Sequence, residues 1–175
     1  MAVTLNQAAA ALDRHVGLPQ PRTMIVARRL REAGAFPSGA TGVSPILELE
    51  NFLDLLIAVA SACPAHKARQ TVEAFKAMTP GGADLSEAPA SVRATAGRQL
   101  AAIAELAIEG DADMRKLNLE FIKTWPEFAV HFDGGETQRF QPIGSVAGHW
   151  QAAGHRTSTA INGAALADAL KELFA

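Results

Sequence analysis

The hydrophobic repeat of this chain changes near Arg115, and that change excludes both an all-helical and an all-strand fold. Upstream, apolar residues recur at three- and four-residue spacing: Leu5, Ala8, Ala9, Leu12 and Val16; Ile46, Leu49, Phe52, Leu53, Leu56, Ile57 and Ala60; Val72, Phe75 and Met78; Val92, Ala96, Leu100, Ile103 and Leu106 or Ala107. Each series draws one buried stripe along a helix. Downstream the period shortens to two. Leu117, Leu119 and Phe121 alternate with Lys116, Asn118, Glu120 and Ile122, Trp125-Pro126 interrupts, and Phe128, Val130 and Phe132 resume. Asp133-Gly134-Gly135-Glu136 reads as a hairpin connection into a returning strand over Thr137 to Ile143. Arg156 to Ile161 reads as an edge strand, and Asn162 as the cap of a last helix that turns Leu166, Leu170, Leu173 and Phe174 inward. The expected fold class is α+β: a helical N-terminal region followed by a small antiparallel sheet with flanking helices.

Thr79 to Ala90 concentrates Pro, Gly, Ser and acidic residues and reads as a linker or long loop. It divides a helical region, 1–78, from an α+β body, 91–175, expected to serve oligomerisation or partner binding. With 49% hydrophobic and 19% charged residues, the chain belongs among folded proteins rather than disordered ones. Its one cysteine, Cys63, excludes an internal disulfide framework and fits a reducing cytoplasm, where the protein is expected. Cys63 itself reads as a small packed residue at a helix end. The N-terminus lacks the basic and apolar regions of a signal peptide, and no window reaches the roughly 18 apolar residues of a membrane span.

Charge is uneven along the chain. The whole carries a net charge of −2, yet from Met1 to Ala33 five arginines face only Asp13 and Glu32. Thr4 is placed to cap a first helix running to about His15, and Gly17-Leu18-Pro19 breaks it. Pro21 suits the first turn of a second helix and Gly34 its end. At about 100° per residue, Thr23, Val26, Ala27 and Leu30 fall on one side and face the first helix. Arg28 lies opposite, Arg22 and Arg29 on one flank, Arg31 on the other. In a helix-turn-helix the early positions, here Gln20, Arg22 and Thr23, reach base edges, while later arginines, here Arg28, Arg29 and Arg31, clamp phosphates.

These residues carry a resemblance. LNQAAAALDRHVGLPQPRTMIVARRLREAG resembles the helix-turn-helix of excisionase-like and MerR-like DNA-binding modules, in which a Leu-x-x-Ala-Ala helix is followed by a Pro-Arg-Thr entry into the recognition helix. The continuation GAFPSGATGVSPILELENFLDLLIAVA is similar to uncharacterised phage and prophage proteins with a Gly-rich loop after this ending. Asp13-Arg14-His15-Val16 departs from the pattern as an insertion, since tighter modules turn sooner. The resemblance covers the first third to half of the chain and implies a partner, double-stranded DNA.

Phe36 to Ser44 reads as a loop that serves either as a wing beside the second helix or as a plain connection, and Ser44-Pro45 as the start of the next helix. Gly34 and Gly39 have the spacing of a phosphate loop, but Ala40 stands where the lysine belongs, which argues against nucleotide binding. The second half offers little chemistry. His131 is expected on a polar surface or facing solvent, and His149 and His155, separated by a loop, meet a metal only if the fold brings in further ligands. Glu120 with Glu127, and Asp111 with Asp113, pair carboxylates without indicating a reaction. The chain is therefore read as a non-enzyme with no catalytic residues, no cofactor and no metal. The expected function is a phage-type or prophage-type transcription regulator acting as a homo-oligomer. Competing readings are a small-terminase-like DNA-packaging recogniser and a protein-interaction module whose arginines are merely solvated.

Overall fold

A computed structural model describes residues 2–37, 45–146 and 148–175, without the side chains of His149 and Trp150. The chain enters through a two-residue strand, β1 (Val3–Thr4), and Thr4 then caps α1 (Leu5–Ala11). Its Oγ1 accepts the Gln7 amide at 3.4 Å while Gln7 Oε1 accepts the Thr4 amide at 2.8 Å, so two otherwise unpaired amides are satisfied reciprocally. Beyond Ala11 the helix widens into a π-helical turn, Leu12–Val16. The extra residues Asp13 to Val16 are thereby absorbed within the helix instead of lengthening the turn. Gly17 closes it at φ +75°, a left-handed conformation that suits glycine, and only Leu18 and Pro19 follow before α2 (Gln20–Glu32). Thr23, Val26, Ala27 and Leu30 are all buried, the stripe that the spacing predicts.

The expected loop from Phe36 to Ser44 lies outside the described residues after Pro37, as does the cap expected at Ser44. The next helix starts later than Pro45. Ile46–Leu47 forms β2, antiparallel to β1 with Val3 opposite Leu47, and α3 (Leu49–Ala60) follows, the Glu48 amide donating to Asn51 Oδ1 at 3.0 Å. Pairing with a strand far upstream overrides the helical period at Ile46, which is 61% exposed. A short 3-10 turn, Ala65–Lys67, leads into α4 (Ala68–Ala77), which buries Val72 and Phe75, with Met78 buried just beyond its end. β3 (Thr79–Pro80) comes next, and α5 (Ala96–Glu109) starts under a Thr95 cap. Val92, expected on the buried stripe of α5, is instead exposed in a separate turn, Ala90–Val92, because the helix begins four residues later.

The sheet matches the shortened period, except that Ile122, expected on the polar side with Asn118 and Glu120, is buried. β4 (Asn118–Ile122), β5 (Glu127–His131), β6 (Thr137–Gln141) and β7 (Ser158–Asn162) join β3 in the order β3-β6-β5-β4-β7, antiparallel throughout. Register places Phe121 opposite Phe128 and Phe128 opposite Phe140. Their rings lie 5.0 and 5.8 Å apart, and Phe75 of α4 stacks on Phe121 at 6.1 Å. Asn162 Oδ1 accepts the Ala164 amide at 2.8 Å and starts α6 (Gly163–Phe174), as expected.

The proposed division at 79–90 does not separate two cores. Its first residues are the edge strand β3, Thr79 is buried opposite Gln141, and one hydrophobic cluster runs from Val3 to Leu173. α1 and the π-helical turn pack on α6, and Phe52 of α3 meets Phe174 edge to face at 5.8 Å. Among the described residues no helix is long and apolar enough to cross a membrane.

Candidate nucleic-acid interface

α2 is held by its buried stripe against α1, α3 and α4, and this fixes which of its polar residues face outward. Arg28 and Arg29 do, with 76% and 51% of their side chains exposed. Both reach the same carboxylate: Arg28 Nε donates to Glu32 Oε1 at 2.8 Å and Arg29 Nη1 to Glu32 Oε2 at 2.7 Å. Hydrogen bonds from Arg28 and then Arg29 hold the Glu32 carboxyl below the usual carboxylate range. Such exposed, solvent-screened pairs hold the two guanidinium groups only weakly. Ile25, 53% exposed, lies between these arginines and Pro21 on the outer face.

Arg22 is differently placed. Half-buried on the flank of α2, it donates through Nη2 to the Cys63 carbonyl, which joins α2 to the turn after α3. Arg31, on the opposite flank, is also half-buried, and its Nε has no hydrogen-bond partner among the described residues. Gln20 is half-buried at the first turn. Thr23 requires a correction as a base-reading residue. It is 0% exposed and its Oγ1 donates to the Pro19 carbonyl at 3.1 Å. A side chain on the buried stripe cannot also reach a groove, and the helical wheel already placed Thr23 on that stripe.

The structure adds basic residues that sequence spacing alone did not connect to α2. The turn Ala65–Lys67 and the start of α4 pack beside it, bringing exposed His66, Lys67 and Arg69 to its Arg22–Arg29 flank. Arg69 Nη1 donates to the Ala33 carbonyl at 2.6 Å just past the end of α2, while its Nε pairs with Glu73 at 2.8 Å. A cationic side chain at a helix C-terminus also complements the partial negative charge there. The signal in the sequence was the basic run His66-Lys67-Ala68-Arg69, and its link to α2 required the tertiary fold.

Away from α2, the second concentration of charge is the sheet face turned from the phenylalanines. Glu120 accepts from Ser158 Oγ at 2.6 Å, His131 Nε2 at 3.1 Å and the Arg156 guanidinium. Glu127 accepts from Arg139, from Gln141 Nε2 at 2.9 Å and from Trp125 Nε1 at 3.3 Å. Burial pushes both carboxyls up, but these donors outweigh it and leave both below the usual range. An ionised, multiply hydrogen-bonded carboxylate ties strands together and is poorly suited to donate a proton. His131, expected on a polar surface, also meets Thr137 Oγ1 at 2.9 Å through Nδ1. Asp111 accepts the Asp113 amide at 2.8 Å and so shapes a turn. His155 is exposed, and the side chain of His149 lies outside the described residues. Among the described residues no three His, Cys, Asp or Glu side chains converge as metal ligands. Cys63 is buried, its thiol donating to the Ala58 carbonyl at 3.4 Å.

No family model, curated protein or solved structure matches the chain.

Proposed function

We propose that this protein binds duplex DNA through α2 and acts as a transcription regulator of the phage or prophage type. The observation that carries the reading is the outward pair Arg28 and Arg29 on a helix seated by its buried stripe against three others, flanked by Lys67 and Arg69. Two features support it. The turn between the first helix and α2 is only Gly17, Leu18 and Pro19, and β2 returns after α2 to pair with β1 at the base of the same helices. In this reading Arg28, Arg29, Lys67 and Arg69 contact phosphates, and Gln20, with Arg22 and Arg31 released from their flanks, reaches toward base edges. One such head spans few base pairs, so the active species is a homo-oligomer, at least a dimer, on paired half-sites.

Fluorescence anisotropy with a labelled random duplex across a salt series tests the reading. Replacing Arg28 and Arg29 with Ala leaves the far-UV spectrum unchanged, weakens binding, and reduces the slope of log K against log salt by about 2, roughly 0.9 per lost phosphate contact. Absence of binding by the parent protein at low salt, or an unchanged slope in the double variant, overturns the proposal.

A further inference from the structure

A cleft of about 420 Å³ opens between α3, α4 and α5, floored by the buried side chains of Leu53, Ile57 and Leu100. From the charges around it we infer that this cleft binds a small amphipathic organic cation, an ammonium group carried on an apolar ring or chain. The volume falls in the range of small-molecule sites, and apolar walls with a few polar groups at the rim are their usual make-up. One end is closed by helix contact. Gly97 of α5 lies so near α4 that an added Cβ would stand 3.0 Å from Lys76 Cβ and 3.2 Å from its carbonyl oxygen.

The rim decides the sign of the ligand. Three carboxylates border the cleft, Glu50, Asp54 and Glu105, against two cations, Lys76 and Arg98. Both cations are already engaged within the protein. Lys76 Nζ donates to Glu50 at 2.8 Å and to Asp54 at 2.9 Å. Arg98 Nη1 donates to the Ala90 and Arg93 carbonyls at 2.8 and 3.0 Å. Glu105 is left as the carboxylate with no hydrogen bond or ion pair among the described residues. A ligand ammonium set against Glu105, with its apolar body over Leu53, Ile57 and Leu100, neutralises the rim and removes the floor from water together. An anion in the same place meets the Glu105 and Glu50 charges, competes with two carboxylates for Lys76, and has in its favour only Arg98, which is already donating to two carbonyls.

The test is calorimetric titration of the full chain, without DNA, with three probes that share a phenylethyl body: phenethylamine, 2-phenylethanol and 3-phenylpropionate. Independence from DNA keeps its outcome separate from that of the regulator reading. Phenethylamine binds, and the alcohol and the carboxylate bind more weakly by about fivefold or more, the least that loss of one fully water-screened charge pair at about 4 Å gives. Ala101→Trp, which fills the cleft from a half-exposed wall position, abolishes binding. Glu105→Gln, on the exposed rim and harmless to folding, reduces phenethylamine affinity to that of the alcohol. Equal or tighter binding of the carboxylate, no binding of phenethylamine at millimolar concentration, or unchanged affinity in Glu105→Gln overturns the inference.

Discussion

Single side chains and single missing atoms set several of the tightest constraints in this molecule. Gly163 is the first residue of α6 and has an ordinary backbone conformation, so helix propensity alone would favour alanine there. Space forbids it: a Cβ would collide with the Met114 carbonyl oxygen and stand 2.8 Å from that of Leu117, which also accepts the Gly163 amide at 2.8 Å. Both obstacles are backbone and cannot rotate away. Gly163→Ala is expected to cost about 1–3 kcal/mol, the range for overpacking, read as a lowered urea midpoint with an unchanged slope. A parent-like midpoint would show that the start of α6 shifts freely. Thr23 shows the opposite kind of constraint. Its chemical type suits a DNA-facing position, but its place on the stripe with Val26, Ala27 and Leu30 assigns its hydroxyl to Pro19.

At the scale of elements, the strands and caps were legible because their determinants are local. The alternation from Leu117 to Phe132, the Asp133-to-Glu136 connection, the Thr4 and Asn162 caps and the Gly34 stop each depend on neighbours within a few residues. β2 was not legible, since only the distant β1 makes Ile46 and Leu47 a strand. The same holds for the charged network that crosses β4, β5, β6 and β7. Glu120 and Glu127 have folded-state values below the usual 4.5, so they stabilise the fold above the unfolded-state value, and that stability is lost as pH falls through the folded-state value. Asp54 contributes with the opposite sign: burial, with the neighbouring Glu50 charge, raises it more than Lys76 lowers it, so its charged form is a liability at neutral pH. Lys76 is opposed by burial, yet its bonds to Glu50 and Asp54 raise it, so the shared contact favours the ammonium while the deeper carboxylate bears the desolvation. Glu127→Gln is therefore expected to lower the urea midpoint at pH 7 and to flatten its decline between about pH 5 and pH 3. Parallel declines in parent and variant would assign the acid sensitivity elsewhere.

Over the whole molecule, the N-terminal helices and the C-terminal helix stabilise each other. Arg14 Nη1 bonds both Glu172 carboxylate oxygens at 2.9 Å, His15 Nε2 meets the same group at 2.6 Å, and Phe52 packs on Phe174. Residues 1–78 alone would expose the faces of α1, α3 and α4 that now bury against α5, α6 and the sheet. That fragment is expected to show no cooperative thermal transition, whereas the full chain shows one; a cooperative transition in the fragment would establish an independent N-terminal domain. The sequence by itself determined the α+β class, the main helices and the strands after Arg115, the inward stripe of α2 and the outward position of Arg28 and Arg29, because hydrophobic period and end-capping act over a few residues. Only the tertiary structure decided that Lys67 and Arg69 stand beside α2, that Glu120 and Glu127 are hubs, that a cleft opens around Lys76, and that one hydrophobic cluster draws residues from both sides of 79–90. Those outcomes depend on contacts between segments far apart along the chain, such as Arg14 with Glu172, and no local pattern records which distant surfaces will meet.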